Sequence, residues 1–189
     1  SVTPYVNRIT DAVGNITVGT GPGTFEPGGF IPAGGVLRQR QNVDLVVAPG
    51  IEARGSWQIV PAVSFSVGYL FTQPTIEKAS DAALEGKLLA QTPQHAVTSE
   101  LEWKPAPQWH FTAQMRHSGR QFEDDQNTRA LAAFTTFDAA TGYDFSPRGS
   151  VMIRIENIFD AEIETGRSAA GLLSIGAPRQ ISAQLSWRL

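Results

Sequence analysis

The chain has 189 residues, 15 Lys+Arg against 18 Asp+Glu, a formal net charge of -3 and no cysteine. That size suits one domain or a piece of a larger one, and the charge has the wrong sign for a dedicated nucleic-acid binder. Without thiols there are no disulfides, thiolate metal sites or Cys nucleophiles. No window approaches the roughly 18 apolar residues of a membrane-crossing helix.

From the first residue the chain alternates with period two, and helical periodicity is nearly absent. The opening Ser1-Val2-Thr3-Pro4-Tyr5 has neither the basic start nor the apolar stretch of a signal peptide, so a mature protein or a C-terminal fragment is expected. A first strand is predicted from Ser1 to about Thr10 and a second from Asn15 to Thr20, with a short connection near Asp11 to Gly14. Next, Val43, Leu45, Val47, Ile51 and Trp57 oppose Asn42, Asp44, Glu52, Arg54 and Gln58. Val63, Phe65, Val67, Tyr69 and Phe71 oppose Ser64, Ser66 and Gly68; Val97, Ser99, Leu101 and Trp103 oppose Thr98, Glu100 and Glu102. Trp109, Phe111, Ala113 and Met115 oppose His110, Thr112, Gln114 and Arg116, and Thr135 to Phe145 and Val151 to Ile155 behave alike. The end sets Ile181, Ala183, Leu185, Trp187 and Leu189 against Gln180, Ser182, Gln184, Ser186 and Arg188. The reading is all-β, with about nine antiparallel strands.

The charges all fall on one face. Asp, Glu, Lys and Arg are missing from the apolar side of these strands, whereas a soluble sandwich usually charges its edges. Connections alternate between short ones, at Val60-Pro61-Ala62, Lys104-Pro105-Ala106-Pro107 and Ser146-Pro147-Arg148-Gly149, and long ones. The long ones run roughly Gly21–Leu37, Glu77–Gln91, Phe122–Ala132 and Ala161–Ala177. Tight turns at one end and long loops at the other describe an up-and-down outer-membrane barrel. Trp57, Trp103, Trp109 and Trp187 sit on the apolar face beside short turns or the C-terminus. With Tyr143 and Phe145 they form an expected membrane-interface belt.

At the last forty residues the chain resembles a known family. Ile155-Glu156-Asn157-Ile158-Phe159-Asp160, Glu164-Thr165-Gly166, Gly176-Ala177-Pro178-Arg179 and the ending Trp187-Arg188-Leu189 are similar to the C-terminus of TonB-dependent outer-membrane receptors. Gly19 to Thr24, Arg38 to Asn42 and Gln121 to Asp125 look like further segments of these barrels. The family usually ends in Phe where this chain has Leu189. The resemblance implies a barrel of 22 strands filled by a plug domain. Residues 1–189 would then be the C-terminal part of that barrel, and the plug and TonB-contacting motif are absent from the sequence. It implies the outer membrane of a Gram-negative bacterium, with lipid, the receptor's own plug, TonB and a large nutrient, most simply a ferric siderophore, as partners. No cofactor, covalent chemistry or nucleic acid is involved.

Candidate ligand residues, by outer-loop position, are Arg38, Arg40, Arg120, Phe122, Arg129 and Arg167, since Arg and aromatics suit anionic iron chelates. Glu52, Arg54, Glu100, Glu102, Arg116, Arg154, Glu156 and Arg188 face the lumen, where they contact the plug or pair with one another across strands. Asn157 is expected to end its strand and shape the following loop. His95, His110 and His117 form no metal constellation, and His110 and His117 fall on opposite faces. Glu123-Asp124-Asp125 reads as a solvated acidic loop lacking a complete calcium motif. The Gly-rich stretch from Gly19 to Gly35 is a flexible loop rather than a phosphate cradle. No catalytic residues are expected, because there is no Gly-x-Ser-x-Gly elbow and no Ser/His/Asp cluster. Alternatives are a small passive pore or adhesin barrel, a barrel-rim enzyme, and a soluble sandwich that binds sugars.

Overall fold

A computed structural model describes residues 1–188; the outward position expected for Leu189 lies outside them. Eight long strands form one antiparallel meander, each beside its neighbours in sequence. They are β1 (Val2–Thr20), β2 (Val36–Val60), β3 (Val63–Thr72), β4 (His95–Ala106), β5 (Trp109–Ser118), β6 (Phe134–Ser146), β7 (Gly149–Glu156) and β8 (Gln180–Trp187). Among the described residues β1 and β8 are paired on one side only, so the sheet is an open arc of wall.

Two expected strands are one. β1 runs unbroken for 19 residues, and its pairing with β2 continues in register from Thr10 opposite Leu45 to Ala12 opposite Val43. Asp11 between them takes φ 55°, a conformation that Asp tolerates better than most residues. It kinks the strand without turning it, so Asp11–Gly14 is not a connection. The ninth strand of the sheet lies elsewhere. Thr75–Lys78 pairs with β2 as Val47 opposite Thr75, continuing the register of Gly50 opposite Thr72. Glu77 and Lys78 therefore prolong β3 beyond Pro74 and do not begin a loop.

The three tight hairpins share one chemistry. Pro61-Ala62, Pro107-Gln108 and Pro147-Arg148 each place proline, with its preset φ, at the first turn position. In each hairpin the incoming strand shifts register just before the turn: between Gln58 and Val60, Trp103 and Ala106, and Asp144 and Ser146.

Register carries the alternation across the sheet. One row reads Trp57, Phe65, Leu101, Ala113, Ala139, Ile155, Ile181, and another reads Gln58, Ser64, Glu102, Thr112, Ala140, Arg154, Ser182. A sheet with side chains of period two thus has one apolar and one polar face. The small buried core lies towards the long-loop end. There Ile16, Val43, Val46, Ile76 and Leu84 pack together. Val43 and Val46, three apart, are both buried in it, a departure from strict alternation at the level of Asp11 with its φ of 55°.

Candidate ligand site at the outer loops

Four long connections (residues 21–35, 79–94, 119–133 and 157–179) gather at one end of the wall. The first contains a hairpin pairing Gly23–Phe25 with Gly29–Ile31, and the fourth contains one pairing Glu164–Arg167 with Leu173–Ile175.

The third loop binds the others together. Asp125 accepts hydrogen bonds from the Thr17 amide at 2.9 Å and the Thr17 hydroxyl at 2.6 Å, fixing the loop to β1. The Asn127 side chain accepts from Leu88 N at 2.7 Å and donates to Leu88 O at 2.9 Å, fixing it to the second loop. Glu123 accepts from Gln91 Nε2 at 3.0 Å and pairs with Arg38 on β2 at 3.8 Å. Ala132 N donates to Glu164 of the fourth loop at 2.8 Å.

The acidic run is therefore not a solvated loop. Asp124 is 2% exposed and Asp125 is 6% exposed. Asp124 collects the Thr128 amide and hydroxyl, the Arg129 amide and the Arg129 guanidinium. Burial pushes its carboxyl upward, but these partners outweigh burial and hold it below the usual carboxylate range.

Of the six candidate ligand residues, three converge. Arg38, Arg129 and Arg167 line one recess of about 430 Å³ with Gly34, Glu123 and Ser174. Phe122 pairs with Ala130 across the third loop, and the Arg120 guanidinium lies 5.4 Å from its ring centre. Arg40 stands opposite Asn15 on β2, outside the recess.

Seven of the eight lumen candidates lie on the polar face, and Arg188 lies beyond β8. Their ion pairs run along strands and not across them: Glu52 with Arg54, Glu102 with Lys104, Arg154 with Glu156. Residues two apart on one strand share a face, which gives these pairs their geometry. Gln114 donates to Glu100 across β4 and β5, and Arg116 lies 5.4 Å from the Phe134 ring centre. Arg188 N donates to Arg148 O beyond β8. Glu100, Gln114, Arg116, Asp138 and Glu156 line a second recess of about 600 Å³. Its upper rim is the turn after β7. Asn157, at φ 51°, donates to Ala161 O and accepts from Ala161 N, so it closes the strand as its sequence context suggested. Phe159 lies beyond the strand end, in that turn.

On the apolar face each expected belt residue lies against another aromatic ring. Ring centres are 5.9 Å apart for Trp57 and Phe65, 5.0 Å for Trp103 and Phe111, 4.6 Å for Trp109 and Tyr143, and 6.0 Å for Phe145 and Trp187. A second group went unnoticed in the sequence. The His95 ring lies tilted 5.1 Å from Phe71, and its Nδ1 lies 2.9 Å from the Tyr69 hydroxyl; Phe137 meets Phe159 at 5.4 Å. The signal was present as aromatics at the loop-proximal strand ends, but His is not read as a belt residue. His117 shares this apolar face, bonded to Thr135, while His110 turns to Asp144 on the other.

Comparison with known proteins gives this wall a family. The profile described as "TonB dependent receptor-like, beta-barrel" matches residues 1–158. The chain belongs to the TonB-dependent receptor family. It is 28% identical over 126 residues to the vitamin B12 transporter BtuB of Photobacterium profundum, covering 64% of this chain and 19% of that one. It is 24% identical over 189 aligned residues to the ferrichrome outer membrane transporter/phage receptor of Escherichia coli, covering 95% of this chain and 24% of that one. Among solved structures, the siderophore receptor PiuA of Acinetobacter baumannii superposes with a TM-score of 0.71 at 16% identity, over 98% of this chain and 26% of that one. The chain thus spans about a fifth to a quarter of these receptors and transporters.

Proposed function

We propose that this chain is the C-terminal wall of a TonB-dependent outer-membrane receptor that captures a scarce nutrient, a ferric siderophore first among the candidates. The observation that carries this is a family-matched sheet with one polar face, one apolar face and two open edges. Its apolar face would meet outer-membrane lipid. Its polar face, with Glu52, Arg54, Glu100, Glu102, Arg116, Arg154, Glu156 and Arg188, would meet a plug domain. Further strands would pair with β1 and β8 to close the barrel, in the manner of the plugged 22-strand class. Ligand would be taken at the loop end, where Arg38, Arg129 and Arg167 gather. The relatives' named ligands (vitamin B12, ferrichrome and siderophores) support uptake of a large chelate driven through TonB.

The test is uptake in the native host. Deleting the gene should abolish TonB-dependent accumulation of at least one ferric chelate, and a TonB-null strain should show the same loss. If accumulation of ferric chelates survives the deletion undiminished, the reading fails. A small passive pore is the second reading. It would need β8 hydrogen-bonded to β1, and in the described residues both edges are free, with Val2, Val6, Val13, Ile181 and Leu185 exposed on them.

A further inference from the structure

The recess between the first, third and fourth outer loops is rich in hydrogen-bond donors yet balanced in charge. Each arginine that lines it stands over its own carboxylate: Arg38 over Glu123 at 3.8 Å, Arg129 over Asp124 at 3.8 Å, Arg167 over Glu164 at 3.4 Å. In all three pairs the carboxylate is the deeper partner. Side-chain exposure is 14, 1 and 13% for the acids against 36, 15 and 37% for the arginines, in the same order. The guanidiniums form the surface and the carboxylates form the layer beneath it.

The acids are also tied from behind. Glu123 accepts from Gln91, Asp124 from Thr128 and the Arg129 amide, and Glu164 from the Ala132 amide. They cannot swing away when a ligand arrives without breaking these bonds, two of which join loops. The pairs are longer than the tight charge-assisted bonds of about 2.7–2.9 Å. The Arg38 and Arg167 side chains, 36 and 37% exposed, keep terminal donors within reach of a ligand oxygen, while the Nε of Arg129 and of Arg167 is buried without a partner.

We propose that this recess selects an uncharged ligand rich in carbonyl, hydroxamate or hydroxyl oxygens over a polyanionic chelate. The inference rests on the receptor reading and adds the charge class of the ligand. A polyanion would be drawn to three guanidiniums and repelled by three carboxylates fixed a few ångströms deeper, in a site where burial weakens solvent screening. A neutral ligand uses the donors without incurring that repulsion. Its affinity should change little with ionic strength, because the recess presents no net charge to screen.

The experiment uses the full-length receptor in its outer membrane and two iron probes: an uncharged ferric trihydroxamate and a trianionic ferric tricatecholate. The expected result is an affinity about tenfold or more higher for the trihydroxamate, changing by less than about twofold between low and high salt. Glu123→Gln keeps the hydrogen bond to Gln91 and removes one negative charge. It should raise tricatecholate affinity by about threefold or more and make it salt-dependent, while Glu123→Asp keeps the wild-type order. Glu164→Gln should shift preference in the same direction, which guards against a fold defect peculiar to one position. Tighter tricatecholate binding with a steep salt dependence would overturn the charge class and leave the receptor reading standing. If the folded receptor bound neither probe, the ferric-chelate reading itself would fall, and the selectivity with it.

Discussion

Asp124 and Asn157 hold more of this molecule than their surface-loop positions suggest. The lowered Asp124 carboxyl has a folded value below the ordinary one of about 3.9. A depressed acid stabilises above its unfolded pKa and loses that contribution as pH falls through the folded value. Protection of the Thr128 and Arg129 amides from hydrogen exchange, corrected for intrinsic rate, should therefore hold from neutral pH to about pH 4 and fail below it. Asp124→Asn should lower that protection at neutral pH by about 1–3 kcal/mol, the cost of ill-matched buried partners. Loss of protection starting near pH 6 would contradict the assignment. Asn157→Ala removes both bonds to Ala161 and leaves a β-carbon at φ 51°. It should cost about 1–3 kcal/mol, read as a lower thermal midpoint of the receptor, with Asn157→Gly less damaging because the backbone strain is gone. Asn157 was legible in the sequence because it sits in the Ile155-to-Asp160 run that carries the family resemblance. The burial of Asp124 was not. Its partners Thr128 and Arg129 are local, but the Thr17 and Leu88 contacts that bury the loop come from strands and loops far along the chain, and alternation carries no trace of them.

At the scale of elements, the alternation legible from Val63 to Trp187 survives in the structure because every tight hairpin keeps parity across its neighbours. Where a strand runs on past a local turn signal, the sequence misleads. Asp11 imitates a turn because a glycine follows it three positions later, yet seventeen paired positions between β1 and β2 keep the strand whole. Likewise Pro74 hides the continuation of β3, since proline ends a strand pattern by eye even where the partner strand holds the register. Faces can be tested at adjacent positions. Ala139 lies on the apolar row and Ala140 on the polar row. Ala139→Lys should destabilise the folded receptor by about 2–4 kcal/mol in a bilayer, while Ala140→Lys should change it by less than about 1 kcal/mol. Denaturant titration in lipid vesicles reads both. Gly149 supplies a second check. The Phe145 and Trp187 rings lie across its α-carbon, where any β-carbon would meet both. Gly149→Val should therefore separate that aromatic pair and slow assembly at the C-terminal edge, seen as accumulation of unassembled receptor.

For the whole molecule, the described residues form a wall with two open edges. Eight strands in one meander, two of them paired on one side only, present apolar side chains along both edges. The expressed chain alone should give no stable conductance in planar bilayers, and steady single-channel steps would contradict that. Spacing supports a membrane-crossing wall. From Trp103 to His95 along β4 is about 26 Å at 3.3 Å per residue, or about 20 Å along the barrel axis at the usual strand tilt, near the apolar band of about 25 Å. Family and architecture were legible because both are repetitive and local in pattern, whereas the meeting of Arg38, Arg129 and Arg167 depends on how three loops fold over the rim. The central claim is that one face of this sheet meets lipid and the other an aqueous interior. It is tested most directly by spin-label scanning of β5, residue by residue, in the full-length receptor reconstituted in bilayers. The prediction is strict alternation: Phe111, Ala113 and Met115 accessible to oxygen in the lipid, Thr112, Gln114 and Arg116 accessible to a water-soluble relaxant or shielded by protein. Water accessibility at Phe111, Ala113 and Met115 would contradict it.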